Sequence, residues 1–181
     1  MCTRYALFSI PEEDKIRFGI EEYYKNYNIS PYSECLIIQG GKAIKSIWGL
    51  KINDMSILNA RVETYETKKL FSNMSRCIVL MNGFFEWKNK IPYYFYSDKI
   101  LYACGIATNE RFVILTCKAN ETVSNIHDRM PLLTKAPYDW IENKEHDNIM
   151  LNYHMVTSRM NNIHYKNSDG IIKENTLTDY S

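Results

Sequence analysis

The chain has 181 residues, of which 45% are hydrophobic and 24% are charged, a balance typical of a globular protein with its own core. Its formal net charge of +1 excludes the class of proteins that hold nucleic acid through a broadly basic surface, so such a partner would require a local cluster of cations. The apolar runs are too short for a transmembrane helix or a signal peptide, and we therefore expect no contact with a membrane.

The predicted elements of the first half are a helix, a hairpin and a short helical segment. The segment from Pro11 to Tyr27 places apolar and aromatic residues at helical spacing behind an acidic first turn, which predicts a helix. The stretch "ECLIIQGGKAIKSIWGL" predicts a β-hairpin that turns at Gly40-Gly41. In "LNARVETYETKKLF" the second half predicts one or two helical turns.

The second half is rich in predicted strands. The runs "RCIVLMNGFFEWK", "PYYFYS", "ILYACGIAT" and "RFVILTCK" follow one another, and the polar segments "SDK" and "NE" predict turns of an antiparallel meander. After them, "ANETVSNIHDRMP" predicts a short helix capped by Asn120, "APYDWIENKE" another helix and "YHMVTSRM" a late strand. The predicted fold class is α+β: a single domain over residues 1–181, with a largely antiparallel, barrel-like sheet and flanking short helices.

The five cysteines do not have the spacing of a metal site. Four of them lie in apolar runs, which predicts buried thiols that behave as small hydrophobic side chains. No C-x-x-C pair occurs and no cysteine is grouped with histidines, so we expect no metal and no other cofactor. An odd number of cysteines without a secretion signal indicates a reducing compartment such as the cytoplasm. Cys2 is the exception, because it follows the initiator methionine directly.

Removal of Met1 would give Cys2 a particular chemistry. The residue would then carry an amine and a thiol on adjacent carbons, with ordinary pKa values of about 7.7–8.0 and about 8.5. Such an amine forms a Schiff base with an aldehyde, and the thiolate then closes a thiazolidine ring. The alternative is that position 2 is an incidental residue at a frayed chain end.

Three further segments carry polar residues that the surrounding pattern does not require. Asn59 and Arg61 lie two apart in "NARVET", which places both side chains on one face of an extended segment; a solvated loop is the alternative. Glu86 lies between two aromatic residues, where desolvation raises a carboxyl pKa towards that of a general acid or base, unless the side chain faces solvent. In "IHDRMP", His127 and Arg129 suit proton transfer and phosphate binding, although a lone histidine is more often structural.

Six short motifs occur in one order along nearly the whole chain: "MC-x-R", "NISP", "NAR-x-E-T", "GFFEW", "IHDRMP" and "VTSRMN". Together they resemble the SOS-response-associated peptidase family, also called abasic-site processing proteins. The resemblance implies a protein of the DNA damage response that removes its own Met1, as an autoproteolytic peptidase. It also implies lyase-type chemistry in which Cys2 condenses with the aldehyde of an abasic site in single-stranded DNA. The product would be a thiazolidine crosslink that shields the lesion.

The same resemblance implies a role for individual residues. Cys2 matches the family nucleophile, and Asn59 matches the asparagine that orients its amine. Glu86 matches the carboxylate that moves protons during sugar ring opening and Met1 removal, and His127 matches the histidine that stabilises the opened sugar. The implied contacts with DNA are Arg4, Pro31, Arg61, Arg129, Ser158 and Arg159. We expect the catalytic residues to converge in one cleft, with Met1 close to Glu86 or His127, in a cytoplasmic monomer that is nucleoid-associated if the host is bacterial.

The chain departs from the family pattern at two places. Thr3 stands where glycine is usual, and its stiff β-branched side chain narrows the expected DNA path. The segment after Trp48 is shortened and lacks the tryptophans that would stack on bases, which affects DNA affinity more than crosslinking chemistry. Two alternatives remain: a glutamine amidotransferase, which also uses an N-terminal cysteine, and a nucleic-acid-binding module in which Cys2 is idle.

Overall fold

The structure, a computed structural model, describes residues 2–144 and 146–174. The strands are Arg4–Leu7 (β1), Asn26–Ile29 (β2), Glu34–Gln39 (β3), Lys42–Trp48 (β4), Leu50–Ile52 (β5), Met55–Ile57 (β6), Asn59–Arg61 (β7), Ser75–Lys88 (β8), Ile91–Ala107 (β9), Arg111–Lys118 (β10), Arg129–Pro131 (β11), Leu133–Thr134 (β12) and Asn152–Met155 (β13). The α-helices are Glu12–Phe18 (α1), Glu121–Ser124 (α2) and Pro137–Asn143 (α3), and the short 3₁₀ turns are Tyr65–Thr67, Lys69–Phe71, Ser158–Asn161 and Ser168–Ile171. In the described part of the chain, no helix has the length and apolar character that a membrane span requires.

A closed ring of five strands forms the centre of the fold. Around this ring β8 pairs with β9, β9 with β10, β10 with β4, β4 with β3, and β3 again with β8. These pairings are antiparallel except that between β10 and β4. Strands β1 and β2 continue the sheet beyond β8, while β7 and β11 add to β10, and β12 and β13 add to β9. The predicted α+β class with a largely antiparallel, barrel-like sheet is confirmed.

Alternation along β8 separates two hydrophobic clusters. Phe84 belongs to the main core together with Cys2 and Tyr5, and all three side chains are fully buried. Phe85 belongs to a second, smaller cluster in which Met160 covers the opposite face of the strand. Since successive side chains of a strand point to opposite faces, Glu86 shares the face of Phe84 and is directed to the side of the main core.

The predicted boundaries of the first helix and of the strands around "SDK" are wrong. The helix predicted from Pro11 to Tyr27 ends at Phe18, because Gly19 adopts a left-handed conformation with φ of 66° and the Ile20 amide donates to the Lys15 carbonyl at 2.8 Å. The predicted turn at "SDK" lies inside the continuous strand β9. Residues 97–100 stand opposite Asn82 alone, so this polar segment is a bulge rather than a chain reversal.

The other predicted turns and caps agree with the structure. The hairpin of β3 and β4 turns at Gly40 and Gly41, which have φ of 58° and 78° and leave Gln39 opposite Lys42. The Asn120 side chain accepts a hydrogen bond from the Val123 amide at 3.0 Å and caps α2 as predicted. The late strand is shorter than its pattern indicated, because β13 ends at Met155 and a 3₁₀ turn follows.

Candidate active site

Cys2, which lies two residues before β1, is held by a residue from a distant part of the chain. Its side chain is fully buried, and its carbonyl oxygen accepts a hydrogen bond from Asn59 Nδ2 at 2.8 Å. Asn59 opens β7, which lies parallel to β10 with Asn59 opposite Ile114. The indole of Trp48 donates to the Leu58 carbonyl at 3.0 Å and fixes the approach to this strand. Cys2 is therefore an anchored residue, which argues against a frayed chain end.

The environment of the Cys2 thiol keeps it protonated. Burial raises the pKa of this thiol well above its ordinary value, and the negative charge of nearby Glu86 raises it further. The thiol donates only a long hydrogen bond, 3.5 Å to the Arg4 carbonyl. Because the thiolate is the nucleophile, Cys2 requires a nearby base that can take its proton.

Glu86 has the properties of that base. The side chain is only 2% exposed, and it lies on β8 opposite Tyr93 of β9. Burial raises the pKa of Glu86 from 4.5 to about 7, and the charge of Asp128 adds to the effect. The predicted desolvation is confirmed, and the alternative of a solvent-facing carboxylate is excluded. A carboxyl pKa near neutrality suits a group that both accepts and returns a proton.

His127 follows α2 and lies beside the end of β8. Its Nδ1 is 3.0 Å from the Arg129 amide, 3.1 Å from the Arg129 carbonyl and 3.1 Å from a carboxylate oxygen of Asp128. The neutral ring can accept the amide proton at Nδ1, and the protonated ring can donate to Asp128. Lys88, the last residue of β8, donates to the Asn125 carbonyl at 2.7 Å and ties this loop to the strand that carries Glu86.

Arg4 is a structural cation rather than an open one. Its guanidinium donates to Asn28 Oδ1 at 3.2 Å and to the Met160 carbonyl at 3.3 Å. It also lies over the Trp87 ring, 5.6 Å from the ring centroid. Half-burial lowers the pKa of the Arg4 guanidinium. The hydrogen bond to the Met160 carbonyl joins Arg4, the first residue of β1, to the 3₁₀ turn at Ser158–Asn161.

Arg129 is paired with a carboxylate. Its guanidinium donates to both carboxylate oxygens of Glu63, at 2.7 and 2.9 Å, and to the Thr116 carbonyl at 2.5 Å. The hydrogen bonds from Arg129 lower the pKa of Glu63 to about 2. Arg129 is therefore neutralised by Glu63 in this structure, and a DNA phosphate would have to compete with that carboxylate.

The other predicted DNA contacts are more accessible. Arg61 is exposed at the end of β7, two residues after Asn59. Ser158 and Arg159 are exposed in one 3₁₀ turn, where the Arg159 guanidinium lies over the Tyr165 ring at 5.9 Å. Pro31 is half-buried in the turn between β2 and β3. The arginines thus form two groups, one around β7 and β11 and one around β1.

Residues 1–167 match the model of the SOS response associated peptidase (SRAP) family. The chain belongs to this family. It is 30% identical over 190 residues to the abasic site processing protein YoqW of Bacillus subtilis, a match that covers 81% of this chain and 83% of that protein. It is 27% identical over 177 residues to the abasic site processing protein YedK of Escherichia coli, covering 78% and 79% of the two chains.

The fold of this SRAP protein also occurs in solved structures. A protein of Bacteroides thetaiotaomicron superposes with a TM-score of 0.78 at 19% identity, over 96% of this chain and all of that one. A phage-related protein of Bordetella bronchiseptica superposes with a TM-score of 0.65 at 24% identity, over 86% and 94% of the two chains. These likenesses establish the fold alone.

The candidate site contains two carboxylates that the sequence did not predict as site residues. Glu63 lies inside the "NARVET" motif and Asp128 inside "IHDRMP", and both contact residues that were selected. The acidic residue in each motif could have indicated these carboxylates. The pairing of Glu63 with Arg129 could not be predicted, because 66 residues separate the two. The prediction that Met1 lies near Glu86 or His127 falls outside the described residues.

The site is distinct from two cavities in the described part of the chain. A cavity of about 1020 Å³ lies between α1 and β9, and another of about 450 Å³ lies near the Gly40 turn. Neither is lined by Cys2, Asn59, Glu86 or His127. Among residues 2–144 and 146–174, no group of three His, Cys, Asp or Glu side chains is arranged to hold a metal ion.

Proposed function

We propose that this SRAP protein acts on abasic sites in single-stranded DNA and crosslinks them covalently through Cys2. The names of the relatives YoqW and YedK, both abasic site processing proteins, support this substrate. The single observation that carries the proposal is the grouping at the amino terminus. There, a buried cysteine is anchored by Asn59 beside a carboxyl whose pKa is about 7.

The first step of the proposed reaction is release of Met1. Glu86 in its carboxylate form takes a proton from water, which adds to the carbonyl carbon of the bond between Met1 and Cys2. When that bond breaks, the proton goes to the departing nitrogen, and methionine leaves with a carboxylate. The product is a free α-amine on Cys2. Asn59 holds the Cys2 carbonyl at 2.8 Å, so the backbone beside the new amine stays in place.

The second step joins the amine to the opened sugar. The amine adds to the aldehyde carbon, and the carbinolamine loses one water to give a Schiff base. Formation of the open-chain aldehyde requires proton transfer at the ring oxygen, and the imidazole of His127, held at Nδ1 by the Arg129 amide, is suited to it.

The third step closes the thiazolidine. Glu86 takes the proton of the Cys2 thiol, the sulfur adds to the Schiff-base carbon, and the proton passes to the nitrogen. Overall, the aldehyde reacts with the amine and the thiol of Cys2 to give the thiazolidine ring and one water. A protonated resting thiol fits this sequence, since its reactivity then depends on transfer to Glu86 and is confined to the occupied site.

The proposed DNA contacts divide into open and paired groups. Arg61 is exposed and can meet a phosphate directly. Arg159 is also exposed, but its Nη1 lies 3.9 Å from a carboxylate oxygen of Asp169, so a phosphate would compete with that carboxylate. Pro31 and Ser158 are the remaining proposed contacts. Arg129 would exchange Glu63 for a phosphate. Arg4 would act by fixing the start of β1, two residues after Cys2, rather than by contact with a phosphate. A single domain over residues 1–181, a monomeric state and a cytoplasmic location remain predictions from the sequence.

A crosslinking assay tests the proposal. The protein is incubated with single-stranded DNA that carries one abasic site, and adducts are resolved on a denaturing gel. We expect a stable adduct with the wild-type protein and none with Cys2→Ala. DNA whose abasic aldehyde has been reduced to an alcohol serves as the substrate control, because it offers no carbonyl carbon. An adduct on the reduced DNA, or a stable adduct with Cys2→Ala, would overturn the proposal, while unchanged DNA binding with no adduct would favour a plain binding module.

A further inference from the structure

Tyr32 combines an exposed aromatic ring with a backbone conformation that is unusual for tyrosine. It occupies the third position of the turn 30–33 after β2, in which the Ser33 amide donates to the Ser30 carbonyl at 3.3 Å. Its φ is 64°, and β-turns with a positive φ at this position favour glycine or asparagine. Of the five described residues other than glycine with a positive φ, Tyr32 alone is aromatic. Because residues in such strained conformations cluster at binding and active sites, this turn is a candidate contact surface.

The fold holds the Tyr32 ring in a fixed position. Its hydroxyl donates to Ser56 Oγ on the β5–β6 hairpin, and its amide donates to the Trp48 carbonyl at 2.8 Å. The ring lies beside Gly49, where a Cβ atom would stand 3.5 Å from Tyr32 Cε1 and 2.7 Å from Leu58 Cδ2. The ring is therefore attached at its backbone and at its hydroxyl, so a ligand that contacts it loses little affinity to the ordering of this side chain.

A large part of this ring is open to solvent. Tyr32 is 43% exposed, and its partner Ser56 is exposed as well. Within residues 2–144 and 146–174, no other aromatic ring stacks on Tyr32. A fixed and open aromatic ring is a surface on which another planar group can stack.

The Tyr32 ring lies close to the group around Cys2. Leu58, which approaches Gly49 from one side while the Tyr32 ring approaches it from another, directly precedes Asn59 in the chain. Asn59 in turn holds the Cys2 carbonyl at 2.8 Å. This series of contacts places the ring outside the Cys2 group and beside it, where the nucleotides that flank a lesion held at Cys2 would pass.

A cation accompanies the ring on the same surface. Lys51 of β5 is exposed and stands directly opposite Ser56 of β6, the residue that binds the Tyr32 hydroxyl. Side chains that are directly opposite in an antiparallel pair lie on one face, so Lys51 and Ser56 are neighbours. In the described part of the chain, Lys51 forms no ion pair. An open aromatic ring and an ammonium group side by side match a base and a phosphate of single-stranded nucleic acid.

We propose that Tyr32 stacks on a base that flanks the abasic site in single-stranded DNA, and that Lys51 binds a phosphate of the same segment. The inference rests on the proposed function, because it concerns the same DNA, and it adds two contacts that lie outside the six sequence motifs. Every base has an aromatic face, so stacking on Tyr32 tolerates any flanking sequence. The protein would therefore hold the strand beside a lesion without selecting the neighbouring base.

Noncovalent binding to DNA whose abasic aldehyde has been reduced to an alcohol tests the stacking contact apart from the crosslinking chemistry. Fluorescence anisotropy gives the affinity for two single-stranded oligonucleotides, one with bases on both sides of the lesion and one whose flanking residues lack bases. Tyr32→Asn, which places in the turn a residue that tolerates a positive φ, should bind the first DNA about 5–150-fold more weakly than the wild type does. It should bind the second DNA as tightly as the wild type, and Tyr32→Phe, which keeps the ring, should resemble the wild type on both.

Tyr138→Asn is the matched control for Tyr32→Asn and should leave binding unchanged. Tyr138 is 37% exposed, close to the value for Tyr32. It lies at the other end of the β3–β4 hairpin, where a Cβ atom on Gly41 would stand 3.4 Å from Tyr138 Cε1. The control therefore removes an equally accessible tyrosine away from the Cys2 group.

Salt dependence and the crosslinking rate separate the two contacts. Lys51→Gln should reduce the slope of log K against log salt by about 0.7, whereas Tyr32→Asn should leave the slope unchanged, because stacking releases no counterions. With unreduced abasic DNA at saturation, Tyr32→Asn should form the adduct at the wild-type rate, since the Cys2 group is intact.

Three results would overturn the stacking contact: unchanged affinity of Tyr32→Asn, an equal loss on both oligonucleotides, or binding by Tyr32→Phe as weak as that by Tyr32→Asn. An unchanged salt slope in Lys51→Gln would overturn the phosphate contact. If the wild-type protein crosslinks abasic DNA while these results are obtained, the inference fails and the proposed function stands. A wild-type protein that neither binds nor crosslinks abasic DNA would overturn both.

Discussion

Replacement of Glu86 by glutamine should stabilise the protein while it slows the chemistry. The pKa of Glu86 is raised from 4.5 to about 7, so the folded state holds this proton over a range in which the unfolded chain has lost it. Stability contributed by the protonated form is complete below pH 4.5 and is lost as the pH rises through about 7. Glutamine cannot ionise, so the variant does not lose this stability as the pH rises.

The size of this effect follows from the shift. A rise of about 2.5 pKa units corresponds to about 3 kcal/mol, since each unit is about 1.4 kcal/mol, and the side chain is too buried for solvent to screen it strongly. The free energy of unfolding of Glu86→Gln minus that of the wild type should therefore increase by up to about 3 kcal/mol between pH 4 and pH 8. Both proteins are prepared with Cys2 as the amino-terminal residue, because Glu86→Gln would otherwise retain Met1 and the two proteins would differ in their α-amine. Titrating groups remote from Glu86 then cancel in this difference.

Urea denaturation of both proteins across this pH range measures the difference directly. The same proteins are then assayed for the rate of adduct formation, which should fall about 10²–10⁴-fold in the variant, the usual contribution of a general acid–base group. Glu34→Gln is the matched control, because Glu34 is exposed on β3 and should leave both quantities unchanged. A pH-independent stability difference, or a variant that crosslinks at the wild-type rate, would refute the reasoning.

Three further predictions concern the anchor, the DNA contacts and the ion pair. Asn59→Ala removes the hydrogen bond to the Cys2 carbonyl and should cost about 1 kcal/mol of stability by denaturation and slow adduct formation on the gel. Arg61→Gln and Arg159→Gln should each reduce the slope of log K against log salt by about 0.7 in DNA-binding titrations; an unchanged slope would remove that arginine from the interface. Glu63→Gln frees Arg129 from its carboxylate and should strengthen binding to single-stranded DNA at low salt; weaker binding would mean that Glu63 positions Arg129 for the phosphate instead.

The features that could be predicted from the sequence are those fixed by local chemistry. The Gly40-Gly41 turn and the Asn120 cap depend on residues within a few positions of one another. The desolvation of Glu86 was also predicted from its aromatic neighbours, but Phe85 and Trp87 lie on the opposite face, and the main core on the side of Phe84 is what Glu86 faces. The resemblance to the family was recognised from the order of six motifs, and composition and residue spacing did not indicate it.

The remaining features depend on contacts between distant segments. The bulge at residues 97–100 keeps β9 continuous because β8 pairs with it on both sides, and a polar tripeptide alone does not reveal that partner. The bond between Asn59 and Cys2 spans 57 residues, and the ion pair of Arg129 and Glu63 spans 66. The order of the strands in the sheet brings such pairs together. The motifs in the sequence therefore indicated the individual residues but not their partners.

The intact mass of the protein–DNA adduct tests the central claim most directly. The adduct is formed on single-stranded DNA with one abasic site and measured without reduction, and its thiols are then counted by alkylation. We expect the mass of the chain without Met1 plus the oligonucleotide minus one water, with the Cys2 thiol no longer open to alkylation. An adduct that retains Met1, or one that joins the DNA to a lysine while Cys2 remains alkylatable, would contradict it.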